Sequence, residues 1–183
     1  MLRKELDRLT TPPPEAGGDW LRKQVEAINI LGRSHKHTIE IFELASDKLN
    51  GNAWVNCYMY ALSIEPARVN DLCEGDVFPN SKFVAQIIEK KLLVQVERGL
   101  SKAHEGDIAI YFDADCKPSH AAITRNGKFV SKWGGRGVLA HVWSHGAYEV
   151  PAQYGDDIRL FAPTSNDQII ETYRDWAAAQ LEA

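Results

Sequence analysis

The stretch Ser119-His120-Ala121-Ala122-Ile123-Thr124-Arg125-Asn126-Gly127-Lys128-Phe129-Val130-Ser131 reads as two strands joined by a tight turn. Asn-Gly is a strong short hairpin signal, because both residues accept positive φ at low steric cost. The flanking runs, His120–Thr124 and Lys128–Trp133, carry the strand character. Further period-two runs follow the same logic at Leu92–Glu97, Asp107–Phe112, Val138–Val142 and Asp157–Phe161. A one-hairpin reading thus grows outward into an antiparallel sheet.

The segments around the sheet read as helices. Trp20, Leu21, Val25, Ile28 and Leu31 recur at helical spacing, as do Ile41, Phe42, Ala45 and Leu49. Between Thr10 and Gly18 a proline and glycine cluster breaks the pattern. Residues 1–50 are expected to be an N-terminal helical segment of the same domain as residues 51–183. A helix beginning at Cys57 is expected to run to about Ile64 and stop before Pro66. Ser81 is read as the cap of a helix with Phe83, Val84, Ile87 and Ile88 on one face. Ser165-Asn166-Asp167 opens a last helix with Ile169, Ile170, Tyr173, Trp176 and Leu181 inward. Helices, then an antiparallel sheet, then a closing helix make an α+β layout.

Composition bounds the function. The 183 residues are 44% hydrophobic and 25% charged, enough for one ordinary globular core. A net charge of −4 gives no support for nucleic-acid or anionic-membrane partners, which favour a basic surface. No apolar run reaches the ~18–20 residues that span a bilayer. Three cysteines, Cys57, Cys73 and Cys116, cannot all pair and form no C-x-x-C, which suits a reducing compartment. Residues 1–8 are charged throughout with no apolar core of a leader. The expectation is synthesis in the cytoplasm without a signal peptide, with a specialised secretion system or lysis required for action outside the cell.

The chemistry centres on Cys57. A thiol at the start of a helix meets the positive end of the peptide dipoles, which favours thiolate over thiol. His120 follows 63 residues later on a strand. A nucleophile, a base and a group orienting the base are what amide-hydrolysing cysteine enzymes require. Taken alone, a cysteine beside tyrosines is more often a small core residue.

Four motifs in order add a resemblance over residues 52–135. They are Asn56-Cys57, Glu105-Gly106-Asp107-Ile108-Ala109-Ile110-Tyr111-Phe112, Ser119-His120-Ala121-Ala122-Ile123 and Asn126-Gly127-Lys128-Phe129-Val130-Ser131. Together they resemble the core of the papain-like cysteine hydrolases of the NlpC/P60 and CHAP type. The resemblance implies a papain-like fold, with Cys57 as nucleophile and His120 as general base. Counting along the hairpin, it puts the third, orienting position on Ser131. The family usually has histidine, an amide or an acid there, and a hydroxyl is a weaker acceptor. Lys132, beside it, points to the opposite face. Asn56 stands where the family has aspartate. Asn52 falls where an amide would serve an oxyanion hole with the Cys57 N–H, and reads equally as a turn residue. Asp107 reads as a loop-fixing carboxylate.

The implied reaction is amide-bond hydrolysis through a thioester, with no cofactor and no metal. The implied substrate is a peptide or peptidoglycan stem, as for a peptidoglycan amidase or endopeptidase of delivered-toxin or phage type, with an inhibitor or immunity protein as partner. The alternatives are a protein-modifying cysteine enzyme and a non-catalytic binding module on the same scaffold. Trp133 and Tyr58 are candidate substrate-binding aromatics, though aromatic residues serve cores as readily. Cys116-x3-His120 and His141-x3-His145 loosely resemble zinc-ligand pairs, but Pro118 and the strand-end positions disfavour that use. His141, Trp143 and His145 read as structural.

Overall fold

In the computed structural model of the chain, residues 1–11, 18–43, 55–65, 68–69, 77–133 and 141–182 are described. Among the described residues, five helices and seven strands make an α+β domain. They are α1 (Leu2–Thr10), α2 (Gly18–Ser34), β1 (Glu40–Glu43), α3 (Cys57–Ala61), α4 (Ser81–Glu89), β2 (Leu93–Gln95), β3 (Ile108–Phe112), β4 (Pro118–Arg125), β5 (Lys128–Lys132), β6 (Val142–His145), β7 (Asp157–Pro163) and α5 (Asn166–Leu181). Short 3-10 turns lie at Leu100–Lys102 and Ala152–Tyr154. Among the described residues no helix is long and apolar enough to cross a membrane.

All seven strands join one open antiparallel sheet in the order β1-β6-β5-β4-β3-β7-β2. The Asn126-Gly127 hairpin forms as read, with both residues at positive φ and Arg125 paired to Lys128. Both faces of the sheet are covered, so β3 is apolar and buried along its length, and β4 and β5 bury polar residues such as His120 and Ser131 as well as apolar ones. Ile108, Ile110, Phe112, Ala121, Ile123, Val130 and Val142 pack into one core with residues of α3, α4 and α5. Ala109, Tyr111, Ala122, Phe129 and Trp143 pack into a second core with Leu6 of α1 and Ile28 of α2.

Several boundaries differ from the sequence reading, each for a local reason. Ile41 and Phe42 belong to an edge strand, not a helix; β1 pairs with β6, and tertiary pairing overrides the helical spacing. Ala45 and Leu49 lie outside the described residues. The helix at Cys57 ends at Ala61, and Ser63 turns to positive φ. Asn80 rather than Ser81 caps α4, its side chain accepting from the Lys82 and Phe83 N–H groups. The strand expected at Val138–Val142 is found at Val142–His145, and residues 138–140 lie outside the described residues. Ser165 caps α5 as expected, accepting from the Gln168 N–H, but Leu181 is 53% exposed instead of inward.

Asp107 fixes the entry to β3. Its carboxylate accepts from Arg98 Nε at 2.9 Å, Arg98 Nη2 at 2.8 Å and the His104 N–H at 2.7 Å, and the residue is 4% exposed. Removing one partner of such a bidentate pair strands the other. Asp107→Ala is expected to lower the unfolding free energy by about 3 kcal/mol in urea titration. A loss below about 0.5 kcal/mol, the scale of ordinary surface substitutions, would contradict this role.

Candidate functional site

Cys57 opens α3 because Asn56 shapes the turn before it. The Asn56 Oδ1 accepts from the Met59 N–H at 2.9 Å, and its Nδ2 donates to the Pro79 carbonyl at 2.7 Å. One amide thus caps the helix and ties it to the segment leading into α4; a carboxylate would supply only the acceptor. Cys57 is half-buried and packs against the first core. Burial pushes its thiol up to about 11. Hydrogen bonds from the backbone at Ala121, Tyr58 and Cys57, and then the Lys132 charge, oppose that rise. The sulfur therefore lies over β4 at Ala121. Here β4 and β5 cease to pair, since their register runs from Arg125↔Lys128 only to Ile123↔Val130.

His120 does not reach this thiol. Ala121 and Ile123 of β4 face the core that holds Cys57, while Ala122 faces the second core. His120 lies with Ala122 on that second face. Its ring stacks on Tyr154 at 3.8 Å with 4° between planes and meets Tyr111 edge-on at 5.5 Å. It is 1% exposed, and its Nε2 has no hydrogen-bond partner among the described residues. Burial holds the imidazole well below its ordinary 6.5, and nearby His145 adds to the effect. The expected Cys57–His120 pair is thus corrected: the two groups occupy opposite faces of one strand.

Ser131 is likewise corrected, because it bonds to His145 rather than orienting His120. The Trp133 Nε1–H donates to Ser131 Oγ at 2.8 Å, and the Ser131 hydroxyl faces His145 Nε2 at 2.8 Å. The His145 Nδ1 lies 2.9 Å from the Gly146 carbonyl, so it carries the proton and Nε2 accepts. This chain satisfies every member inside the second core. Burial holds His145 down to about 4, against the Gly146 bond and the Glu149 charge. Trp133 is fully buried and stacks on Trp143 at 5.5 Å, so it is no substrate platform. Tyr58 is also buried; its phenol is held protonated by burial first, then by Cys57 and Asp113. Asn52 lies outside the described residues. Cys116 is exposed on a turn, whereas His120, His141 and His145 are buried. Among the described residues no three His, Cys, Asp or Glu side chains gather as a metal site.

Two charged groups on the thiol's face of the sheet escaped the sequence reading. Lys132 shares the face of Val130 and Val142, and its ammonium is disfavoured by burial, while Cys57 and Glu43 favour it. The signal for Lys132 was the strand alternation that sets it opposite Ser131. Glu43 had no signal, because its aim depends on a bulge in β1. Comparison with family models, curated proteins and solved structures finds no match.

The two depressed histidines predict an acid-sensitive fold. Their folded values lie below the unfolded value near 6.5, so the unfolded chain binds more protons in that window. Stability is therefore complete above about pH 6.5 and falls progressively toward about pH 4. Urea midpoints measured across this range should drop with acid, and His120→Phe, which keeps the ring stack, should flatten the slope. A constant midpoint would contradict the neutral buried pair.

Proposed function

We propose that the domain performs cysteine-dependent amide-bond hydrolysis or acyl transfer, with Cys57 as nucleophile and a peptide as substrate. The observation that carries this reading is the placement of the thiol. It sits in the first turn of a capped helix, over the point where two central strands part, and backbone groups of Ala121, Tyr58 and Cys57 partly offset the rise that burial imposes on it. Donors to sulfur favour the thiolate. The resemblance would put the Cys57 N–H in an oxyanion hole. Attack on a carbonyl carbon forms a thioester and expels an amine, and water then releases the acid.

The resemblance to NlpC/P60 and CHAP hydrolases makes the peptidoglycan stem peptide the first substrate to test, followed by side-chain or main-chain amides of a protein. A second reading, a non-catalytic binding module on a papain-like scaffold, draws on one observation. Burial pushes the thiol up to about 11, and His120 lies on the far face of the sheet against Tyr154.

Purified muropeptides incubated with the protein should yield new stem-peptide products by mass spectrometry, absent with Cys57→Ser. Iodoacetamide should also label Cys57 in the folded protein. A native Cys57 still unlabelled at about pH 9, above the free-cysteine value of about 8.5, together with no cleavage, would favour the binding module.

A further inference from the structure

We propose that Lys132 is the general base of the Cys57 site and that Glu43 is its positioning residue. The proposal rests on Cys57 being the nucleophile and concerns how its proton is moved. Sheet register supplies the geometry. Lys132 of β5 and Glu43 of β1 both pair with Val142 of β6, one from each side. Residues directly opposite in an antiparallel ladder point to the same face. Val142 faces the core that holds Cys57, so Lys132 and Glu43 face it too.

Glu43 reaches this row through a bulge. Ile41 pairs with Trp143 and faces the second core, and an unbroken strand would send Glu43 the same way. The register shift between Ile41 and Glu43 turns Glu43, an exposed residue, to the thiol's face of the sheet, a re-aiming that bulges commonly serve. The row therefore runs Glu43, Val142, Lys132 and then the thiol above Ala121. Lys132 is half-buried on the sheet face it shares with Val130 and Val142. Burial disfavours its ammonium, and a neutral amine is what a base requires. Among the described residues the other ionisable groups acting near this row are Tyr58 and Tyr60 of α3, Asp113 just past β3, and Arg125 of β4, which bonds the Tyr60 hydroxyl.

The steps balance without a co-reactant beyond water. The Cys57 proton passes to the Lys132 Nζ, and the sulfur forms a bond to the substrate carbonyl carbon. As the C–N bond breaks, the ammonium returns that proton to the leaving amine. The neutral amine then takes a proton from water, whose oxygen attacks the thioester. The C–S bond breaks, and the thiolate recovers its proton from Lys132. Glu43 stabilises the ammonium between these transfers.

The test is the pH profile of iodoacetamide labelling at Cys57 in the full chain, with folding followed by circular dichroism. In the wild type the profile has two steps that belong to the pair. Lys132→Met slows labelling near neutral pH about tenfold, equivalent to a one-unit rise in the apparent thiol value. Lys132→Arg keeps charge and bulk but holds its proton, and leaves a single step; it decides the matter should the methionine variant not fold. Glu43→Gln moves the lysine step to lower pH and Glu43→Asp restores it, whereas a merely structural Glu43 would leave the profile in place. His120→Phe leaves the profile unchanged. Rapid labelling that ignores both Lys132 variants, or that depends on His120, overturns this proposal and leaves Cys57 as nucleophile. A Cys57 inert in the wild type overturns both.

Discussion

Strand β4 is buried on both faces, and its alternation divides the chemistry of the molecule. Ala121 and Ile123 point toward α3, α4 and α5; His120 and Ala122 point toward α1 and α2. The period of a strand is two, so no side-chain rotation carries a residue through the sheet. The thiol of Cys57 rests on the first face and the imidazole of His120 on the second. The second face is locked from outside. Arg3 of α1 donates to the Val150, Pro151 and Gly155 carbonyls and pairs with Asp156. Asp7 accepts from the Gln153 N–H. These contacts hold the turn whose Tyr154 stacks on His120, and Ser119 Oγ ties that turn to β4.

The two faces differ in how they treat polar groups. On the second face, Trp133, Ser131, His145 and Gly146 form a closed chain in which each donor has one acceptor. Such a chain fixes side chains and keeps its histidine neutral. On the first face, charge gathers near the thiol at the end of the row formed by Glu43, Val142 and Lys132. In the proposed reaction Lys132 is the partner whose charge state changes, with Glu43 across Val142 from it.

The sheet was legible in the sequence because its signals are local. Asn126-Gly127 announces its hairpin, and the strand runs of Asp107–Phe112 and Lys128–Trp133 need no distant partner to be recognised. Ser165 announces the start of the last helix through its capping chemistry. What the sequence hid depends on contacts between distant segments. Ile41 and Phe42 look helical until β6 pairs with them. His120 looks like a base until the bulge near Ser119, where the β3–β4 register shifts, and the stack on Tyr154 settle its face. Ser131 lies on β5 as read, but its hydroxyl meets His145, 14 residues away on β6. Glu43 depends on a bulge that no spacing rule announces.

The division of β4 into a thiol face and an imidazole face is tested most directly by nitrogen-15 NMR of the histidine rings before and after alkylation of Cys57. The account predicts that His120 stays neutral down to the acid limit of the fold and that its ring nitrogen shifts do not respond to modification of Cys57. A His120 that titrates near neutral pH, and whose titration moves when Cys57 is alkylated, would place the two groups together and contradict it.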